Sequence, residues 1–253
     1  MDASILVPAA VILLLAGVLK GSIGFGFPTV AVPALALLMP TRTAIVLVSL
    51  PLLLTNVLLL GRQPLGWDRL SRFVPLLATY VPATVLGGYL LANVSSTVLS
   101  LVVGCLCVLA GVWSLLPGEL AVPARLESRV SFGLGVVAGL LNGATGIPGP
   151  LLAAYIAGLG LVKWAFVYGL TLLLAVGNVA QVGSYAQLGL YGDGLLPASL
   201  VLIPPALLGQ QVGFRIQDRL EPSVFRRVVL VAVTLAGLNL LVGAVAALRT
   251  RGV

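Results

Sequence analysis

The stretch KGSIGFGFPT, residues 20–29, interrupts an apolar run that is long enough to enter a membrane. Its three glycines and one proline disfavour a continuous helix, and Lys20 places a positive charge beside the break. Backbone polar groups must be paired in hydrocarbon, so a non-helical segment at that depth lies where protein or a water-filled cavity surrounds it. The stretch therefore predicts a cavity within the membrane, with an ionisable side chain next to it.

The composition of the whole chain is that of an integral membrane protein. Of the 253 residues, 60% are hydrophobic and 8% are charged, whereas about a quarter of the residues in soluble domains are charged. The net charge of +7 comes from short basic clusters between apolar runs, which is typical of loops at a membrane surface and not of a nucleic-acid site. We expect no removable signal peptide, and we expect Cys105 and Cys107 to be small buried hydrophobic residues.

The interrupting motif occurs a second time, 122 residues further along the chain. The stretch VAGLLNGATGIPGP, residues 137–150, aligns Gly139, Gly143, Gly146 and Pro150 with Gly17, Gly21, Gly24 and Pro28. The same ungapped register aligns Asn56 with Asn178 and Gly87 with Gly209, after which four extra residues enter the second copy. A match of this length predicts two homologous halves, residues 1–116 and 130–253, joined by a linker at 117–129 within one transmembrane domain.

Each half contains one interrupted segment and three uninterrupted apolar runs. The runs suit bilayer crossings of about 20 residues and cover residues 43–61, 73–92, 97–116, 165–190, 195–213 and 224–248. In the second half, residues 130–141 precede the break and residues 151–161 follow it. Each limb would then be about 18 Å long and would reach the middle of the membrane only. The predicted fold class is an all-α polytopic membrane protein.

Charge placement distinguishes two geometries of the interrupted segments. Interrupted crossing helices with parallel halves put seven basic residues on one face and six on the other. Re-entrant hairpins put Arg42, Arg249 and Arg251 on one face and ten basic residues on the other, namely Arg62, Arg69, Arg72, Arg125, Arg129, Lys163, Arg215, Arg219, Arg226 and Arg227. The positive-inside rule favours the hairpins. They make the halves an inverted repeat, with basic loops in the cytoplasm and both termini outside.

Two helix N-termini at the membrane centre would form an anion site. Pro28 and Pro150 suit the start of a new helix, whose free N–H groups and partial positive charge face the centre. Lys20, aligned with Asn142, adds a full charge at membrane depth. The candidate substrate-binding residues are Lys20, Ser22, Gly24, Phe25, Gly26, Phe27, Thr29, Asn56, Asn142, Thr145, Gly146, Gly149, Asn178 and Gln181. The residues expected to shape the breaks are Gly21, Pro28, Gly143 and Pro150.

These residues also have structural explanations. Glycine and proline are frequent in transmembrane helices for packing reasons, and a lysine can extend along apolar surface toward polar groups. Asn56 and Asn178 can serve as hydrogen bonds between helices, and Phe25 and Phe27 can serve as packing. The presence of two matching breaks favours a site.

The chain has no histidine, and its seven acidic residues fall in predicted loops or near the termini: Asp2, Asp68, Glu119, Glu127, Asp193, Asp218 and Glu221. No carboxylate is expected where a proton or sodium relay needs one. Metal ligands, an acid–base pair and a Ser/His/Asp set are also missing from the pattern. We therefore predict no enzyme activity and no cofactor, and we expect the gradient of the anion itself, or of its protonated form, to drive transport.

The duplicated break, KGSIGFGFPTVAVPAL (20–35) and NGATGIPGPLLAAYIAG (142–158), resembles the TauE/SafE family of sulfite and organosulfonate exporters over essentially the whole chain. The resemblance implies a bacterial inner-membrane carrier for small sulfur-containing anions, with the substrate and the lipid bilayer as partners. Members often have a triple glycine at the break, where this chain has GFGFP and GIPGP. The alternatives are an importer of the same anions, an anion channel, and a membrane scaffold that transports nothing.

Overall fold

A computed structural model describes residues 3–61, 71–113, 125–160, 163–217, 234–235 and 237–247. Over these residues the chain is helical, without β-strands. The helices are α1 (Ala3–Ile23), α2 (Phe27–Ala36), α3 (Thr41–Leu60), α4 (Val74–Asn93), α5 (Ser96–Trp113), α6 (Glu127–Thr145), α7 (Gly149–Gly158), α8 (Lys163–Gln187), α9 (Leu195–Val201), α10 (Ile203–Gln217) and α11 (Gly237–Ala247).

Within the described ranges, five helical segments are long and apolar enough to cross a membrane: Ser4–Ser22, Thr41–Leu60, Val74–Asn93, Ala165–Gln187 and Leu195–Ile216. Large apolar side chains such as Leu15, Leu86 and Leu208 are exposed on their outer faces. So much exposed apolar surface is incompatible with a soluble monomer and fits helices that face lipid. The prediction of an all-α, multi-pass membrane protein is confirmed at this level.

The uninterrupted runs correspond closely to the predicted ones. Helices α3, α4, α5 and α8 match four of them to within a few residues. The predicted run 195–213 is divided at Leu202 into α9 and α10, just before Pro204 and Pro205, because proline removes helical hydrogen bonds.

Several predictions concern residues outside the described ranges. These residues include positions 117–124, which are most of the linker, and the first part of the run 224–248. They also include the charged residues Asp2, Arg62, Asp68, Arg69, Glu119, Asp218, Arg219, Glu221, Arg226, Arg227, Arg249 and Arg251.

The limbs before the breaks are longer than predicted. Helix α6 has 19 residues and α1 has 21, which gives about 28 and about 32 Å at 1.5 Å per residue. The prediction of about 18 Å for the first limb is therefore wrong. The limbs after the breaks, α2 and α7, have 10 residues each and fit the predicted short segment.

Close packing explains why the glycines inside the first limbs do not end them. Helix α1 packs against α10, and α6 packs against α4. A Cβ added at Gly21 would lie 2.2 Å from the carbonyl oxygen of Gln210, and one at Gly143 would lie 2.0 Å from that of Thr84. Small residues let helix backbones approach in this way. Both helix pairs join one half of the sequence to the other.

The same contacts revise the register of the sequence repeat. Gly21 packs against Gly213, and Gly143 packs against Gly87. Gly143 lies 143 − 21 = 122 residues after Gly21, but Gly213 lies 213 − 87 = 126 residues after Gly87. The ungapped alignment paired Gly87 with Gly209 and is therefore wrong, because the structural equivalent of Gly87 is Gly213. The difference is four residues, about one helical turn. The extra residues of the second half lie before Gly209.

Helices α3 and α8 lie between the two tightly packed pairs. They contact each other, α3 also contacts α10, and α8 also contacts α4. The short helix α2 packs against α1 and α3, while α7 packs against α8. Both breaks are thereby brought to the region where α3 and α8 meet.

Candidate functional site

The two breaks have similar backbone geometry. Gly24 and Gly26 have φ of 87° and 94° after α1, and Gly146 has φ of 73° after α6. The N–H of Gly24 donates to the carbonyl of Lys20 at 2.7 Å, and that of Gly146 donates to the carbonyl of Asn142 at 2.8 Å. Glycine adopts this left-handed conformation at a helix end without a steric penalty. The two donors, Gly24 and Gly146, are 122 residues apart, as are the two acceptors, Lys20 and Asn142.

A new helix begins directly after each break. Helix α2 starts at Phe27 and α7 starts at Gly149, with Pro28 and Pro150 as their second residues. Proline was predicted to be the first residue of each helix, so each helix begins one residue earlier than predicted. Proline is still within the first turn, where no N–H partner is needed. No side chain caps either N-terminus. The partial positive charge at each helix start is therefore not satisfied by a side chain of the described chain.

Both helix N-termini line one small cavity. The lining residues are Lys20, Phe25, Gly26, Phe27, Pro28, Thr29, Leu52, Gly146, Gly149 and Leu174. The space open to the centres of water-sized spheres is about 10 Å³, roughly the minimum that one water molecule needs. The structure thus brings Lys20 and both breaks together around one small cavity.

Lys20 is almost completely buried and has neutral partners. Its side chain is 1% exposed, and Nζ donates to Thr55 Oγ1 at 2.9 Å and to Asn56 Oδ1. The acidic residues of the described chain are Glu127 and Asp193, and neither is bonded to Lys20. A protonated lysine has three N–H donors, so one remains for a ligand.

A chain of amide side chains extends from Lys20 across the middle of the protein. Asn56 Nδ2 donates to Asn178 Oδ1 at 2.5 Å, and Asn178 Nδ2 donates to Gln181 Oε1 at 2.9 Å. Gln181 Nε2 donates to the carbonyl of Asn142 and to the hydroxyl of Tyr185, each at 2.8 Å. The donors all point from Lys20 toward α6, and hydrogen bonds aligned in this way strengthen one another. The chain connects the two breaks.

Three further buried polar atoms near these helices have no hydrogen-bond partner within the described part of the protein. They are Asn142 Oδ1, Tyr80 Oη and Gln210 Oε1. Asn142 contacts Thr84 Oγ1 through Nδ2 at 3.4 Å, and the Tyr80 hydroxyl lies against Gly177, beside Asn178. Buried polar groups are normally paired, so these atoms mark positions where water or a ligand can bind.

The other predicted site residues lie at the edge of this region. Ser22 Oγ donates to the carbonyl of Val18 at 2.9 Å and to that of Gly213 at 3.4 Å, which directs it toward α10. Thr145 Oγ1 accepts a bond from the N–H of Ile147 at 3.2 Å and so shapes the second break. Seven of the predicted substrate-binding residues do not line the cavity: Ser22, Gly24, Asn56, Asn142, Thr145, Asn178 and Gln181.

Sequence reasoning missed five polar residues of this region: Thr55, Tyr80, Thr84, Tyr185 and Gln210. Each is buried in an otherwise apolar helix. That pattern, a polar side chain within a candidate membrane span, was the available signal. No group of three or more metal-ligating His, Cys, Asp or Glu side chains occurs among the residues that the structure describes.

A family model described as "Sulfite exporter TauE/SafE" matches residues 9–240. The match includes both breaks and all ten helices from α1 to α10, apart from the first residues of α1. No curated protein and no solved structure matches the chain.

Proposed function

Since the chain belongs to the TauE/SafE family of sulfite exporters, we propose that it is a secondary transporter that exports a small sulfur-containing anion, sulfite or an organosulfonate, across the bacterial inner membrane. The observation that carries the proposal is the cavity shared by Lys20 and the N-termini of α2 and α7. Sequence reasoning on the breaks leads to an anion as the substrate, and membership of the family alone supplies the sulfur.

The chemistry of the cavity suits an oxyanion. The first turns of two helices contribute N–H groups and partial positive charge, and the Thr29 hydroxyl and the third N–H of Lys20 add donors. Sulfite and sulfonate groups present three oxygen acceptors in a compact pyramid, which such convergent donors can bind. Hydrogen bonds to a charged acceptor are about twice as strong as neutral ones.

The cavity is too small for the anion in the conformation described. Space for about one water is less than a sulfonate needs, so the cavity has to widen for the anion to bind. Helices α2 and α7 are short, are joined to α1 and α6 through glycines with positive φ, and are the elements that we propose to move. Movement toward either side of the membrane in turn would give alternating access.

We further propose that residues 1–116 and 130–253 are inverted copies joined by the linker 117–129. Each copy would contribute three crossings and one hairpin that returns to the face it entered, with a first limb, α1 or α6, that reaches beyond mid-membrane. The basic loops would lie in the cytoplasm and both termini outside. The distribution of basic residues supports this arrangement over interrupted crossing helices in parallel halves.

Transport by purified protein in liposomes tests the proposal. Liposomes loaded with labelled sulfite, or with a labelled small sulfonate, should show saturable efflux that unlabelled anion on the opposite side accelerates. Lys20→Met, which keeps the length of the side chain and removes its charge, should lower this exchange at least tenfold, corresponding to about 1.4 kcal/mol of binding. Arg215→Met, at an exposed position of α10, is the matched control and should retain exchange.

Other outcomes favour the alternatives. Flux that neither saturates nor responds to anion on the opposite side indicates a channel. Saturable exchange that favours uptake under cellular gradients indicates an importer of the same anions. No flux of any sulfur anion contradicts transport and leaves a scaffold role.

A further inference from the structure

The feature that anion export alone does not explain is the environment of Lys20. We propose that Lys20 is the proton-binding group of the transporter: it takes up one proton as the site takes up the anion and releases that proton as the anion leaves. The anion and a proton then cross the membrane together, so export proceeds when the outward gradient of the anion exceeds the opposing pH gradient of a cell whose cytoplasm is the more alkaline side. This inference rests on the proposed transport function and assigns its coupling ion.

Among the described residues, no acidic side chain is bonded to Lys20 to balance an ammonium charge. Lys20 is 1% exposed, the adjoining cavity has space for about one water, and both hydrogen-bond partners are neutral. A buried charge without a partner costs several kcal/mol and is usually relieved by loss or gain of a proton. A bound monoanion would provide the missing negative charge, so the proton and the anion favour each other's binding.

The hydrogen bonds of Lys20 fit both protonation states. A neutral amine has two N–H groups, and Nζ makes two donor contacts, to Thr55 and Asn56. Protonation adds a third N–H without breaking either contact. That third donor is available to the anion in the cavity that Lys20 lines. The site can therefore gain and lose the proton without rearranging its neighbours.

The elements around Lys20 provide no competing acid within the described residues. Helix α2 has no titratable residue. Helix α3 has Arg42 at its start, 56 − 42 = 14 residues from Asn56, about 21 Å along the helix. Helix α10 has the exposed Arg215, and α8 has Lys163, Tyr168 and Tyr185, whose hydroxyl donates to the carbonyl of Gly143. No carboxylate is among them.

The second half of the protein lacks an equivalent group. Asn142 occupies the position that aligns with Lys20, and an amide does not titrate near neutral pH. The proposed stoichiometry is therefore one proton for each anion. In balanced form, Lys–NH₂ + H⁺ + R–SO₃⁻ gives Lys–NH₃⁺ paired with R–SO₃⁻. Both the empty and the loaded sites are neutral overall, so the cycle moves no net charge with a monovalent anion.

Accumulation of labelled 2-hydroxyethanesulfonate in liposomes tests the inference. This anion carries no proton of its own near neutral pH, unlike sulfite, so any coupling to pH comes from the protein. With the membrane voltage held at zero by potassium and valinomycin, a gradient of one pH unit should drive about tenfold accumulation on the alkaline side. A voltage imposed at equal pH should drive none.

The substitution Lys20→Arg separates coupling from binding. Arginine keeps its charge at all accessible pH values, so any sulfonate transport by this variant should follow voltage and should show no accumulation driven by pH. Lys20→Met should lose both exchange and accumulation. The voltage and pH measurements on the wild type decide the question even if neither variant folds.

Three results would overturn the inference. In the first, sulfonate accumulation by the wild type depends on voltage and not on pH, which shows that Lys20 keeps its charge throughout the cycle. That result leaves the proposed anion transport unaffected. Undiminished pH-driven accumulation by Lys20→Arg places the proton elsewhere. Absence of sulfonate or sulfite exchange by the wild type at equal pH contradicts the transport function, and the inference fails with it.

Discussion

At the scale of the residue, Asn56 and Asn178 show how a polar site is held inside an apolar protein. They align with each other between the halves and form a hydrogen bond of 2.5 Å with each other. Each also makes a second side-chain hydrogen bond: Asn56 accepts one from Lys20, and Asn178 donates one to Gln181. A residue in this position cannot be changed without leaving another polar atom unpaired, which costs about 1–3 kcal/mol.

A double-mutant cycle measures this dependence. Asn56→Leu and Asn178→Leu should each lower stability by about 1–3 kcal/mol. The double variant should lose less than the sum, by about 0.6–1.7 kcal/mol, the range found for hydrogen bonds between transmembrane helices. Thermal unfolding of the four proteins in one detergent gives the comparison. Simple additivity would contradict a direct bond between the two amides.

Substitutions at Gly149 and Gly146 test two properties separately: anion binding in the cavity and the left-handed backbone conformation at the break. Gly149 lines the cavity, its φ is not positive, and a Cβ there would meet nothing within 4 Å. Gly149→Val should therefore fold normally and should reduce anion exchange at least tenfold by filling the cavity.

Gly146→Ala places a Cβ on a residue with φ of 73°, which costs about 1–2 kcal/mol. This variant should unfold at a lower temperature than Gly149→Val. Normal exchange by Gly149→Val would show that the anion does not bind in this cavity.

At the scale of the element, the structure separates two uses of glycine that look alike in the sequence. The motif GLLNGATG, residues 139–146, contains Gly143, which a neighbouring backbone requires, and Gly146, which positive φ requires. The duplicated motif was enough to predict both breaks and the short helices after them. It was not enough to predict that α1 and α6 continue through their inner glycines, because that depends on helices distant in the sequence.

The packing role of Gly143 can be checked against another glycine of the same helix. Gly143→Ala would bring a Cβ within 2.0 Å of a carbonyl oxygen, whereas a Cβ at Gly133 would meet nothing within 4 Å. Gly143→Ala should destabilise the protein by about 1–3 kcal/mol. Gly133→Ala should be neutral, or stabilising by up to about 1 kcal/mol. Equal unfolding temperatures of the two variants would contradict close packing of α4 on α6.

A surface ion pair joins the turn before α4 to the start of α6. Arg72 donates to Glu127 at 2.5 and 2.9 Å, and this hydrogen bonding lowers the pKa of Glu127. A lowered carboxyl pKa in the folded state contributes stability at neutral pH, and that stability is lost as the pH falls through the folded-state value. Because the Arg72 side chain is 40% exposed, Glu127→Gln should cost less than about 1 kcal/mol at neutral pH.

The pH profile of that variant checks the assignment. The stability difference between the wild type and Glu127→Gln should shrink below the ordinary carboxyl range of about 4.3, as followed by thermal unfolding. A difference that stays constant into acid would show that the charge of Glu127 contributes nothing.

At the scale of the whole molecule, the two sequence halves form one structure. Helices α1 and α10 pack together, as do α4 and α6, and α3 and α8 meet between these pairs. Composition and repeated apolar runs were sufficient to predict the all-helical membrane fold. The contacts that Thr55, Tyr185 and Gln210 make were not predictable, because which polar side chains meet depends on how the helices pack.

The inverted arrangement makes a prediction about the chain ends. A reporter enzyme active only outside the cytoplasm should be active at both the N- and the C-terminus, and inactive when inserted near residue 65. Interrupted crossing helices in parallel halves would put residue 65, the linker 117–129 and both termini on the same face of the membrane. Reporters with the same activity at the termini and near residue 65 would therefore contradict the inverted arrangement.

The most direct test of the central claim is to locate the anion. Selenite is a pyramidal oxyanion like sulfite, and its selenium atom scatters anomalously, so crystals grown with selenite would show its position. The account predicts a selenium peak between the first turns of α2 and α7, within hydrogen-bond reach of Lys20 Nζ, with that peak absent from Lys20→Met. A peak elsewhere, or one that persists unchanged in Lys20→Met, would contradict an anion site formed by Lys20 and the two helix breaks.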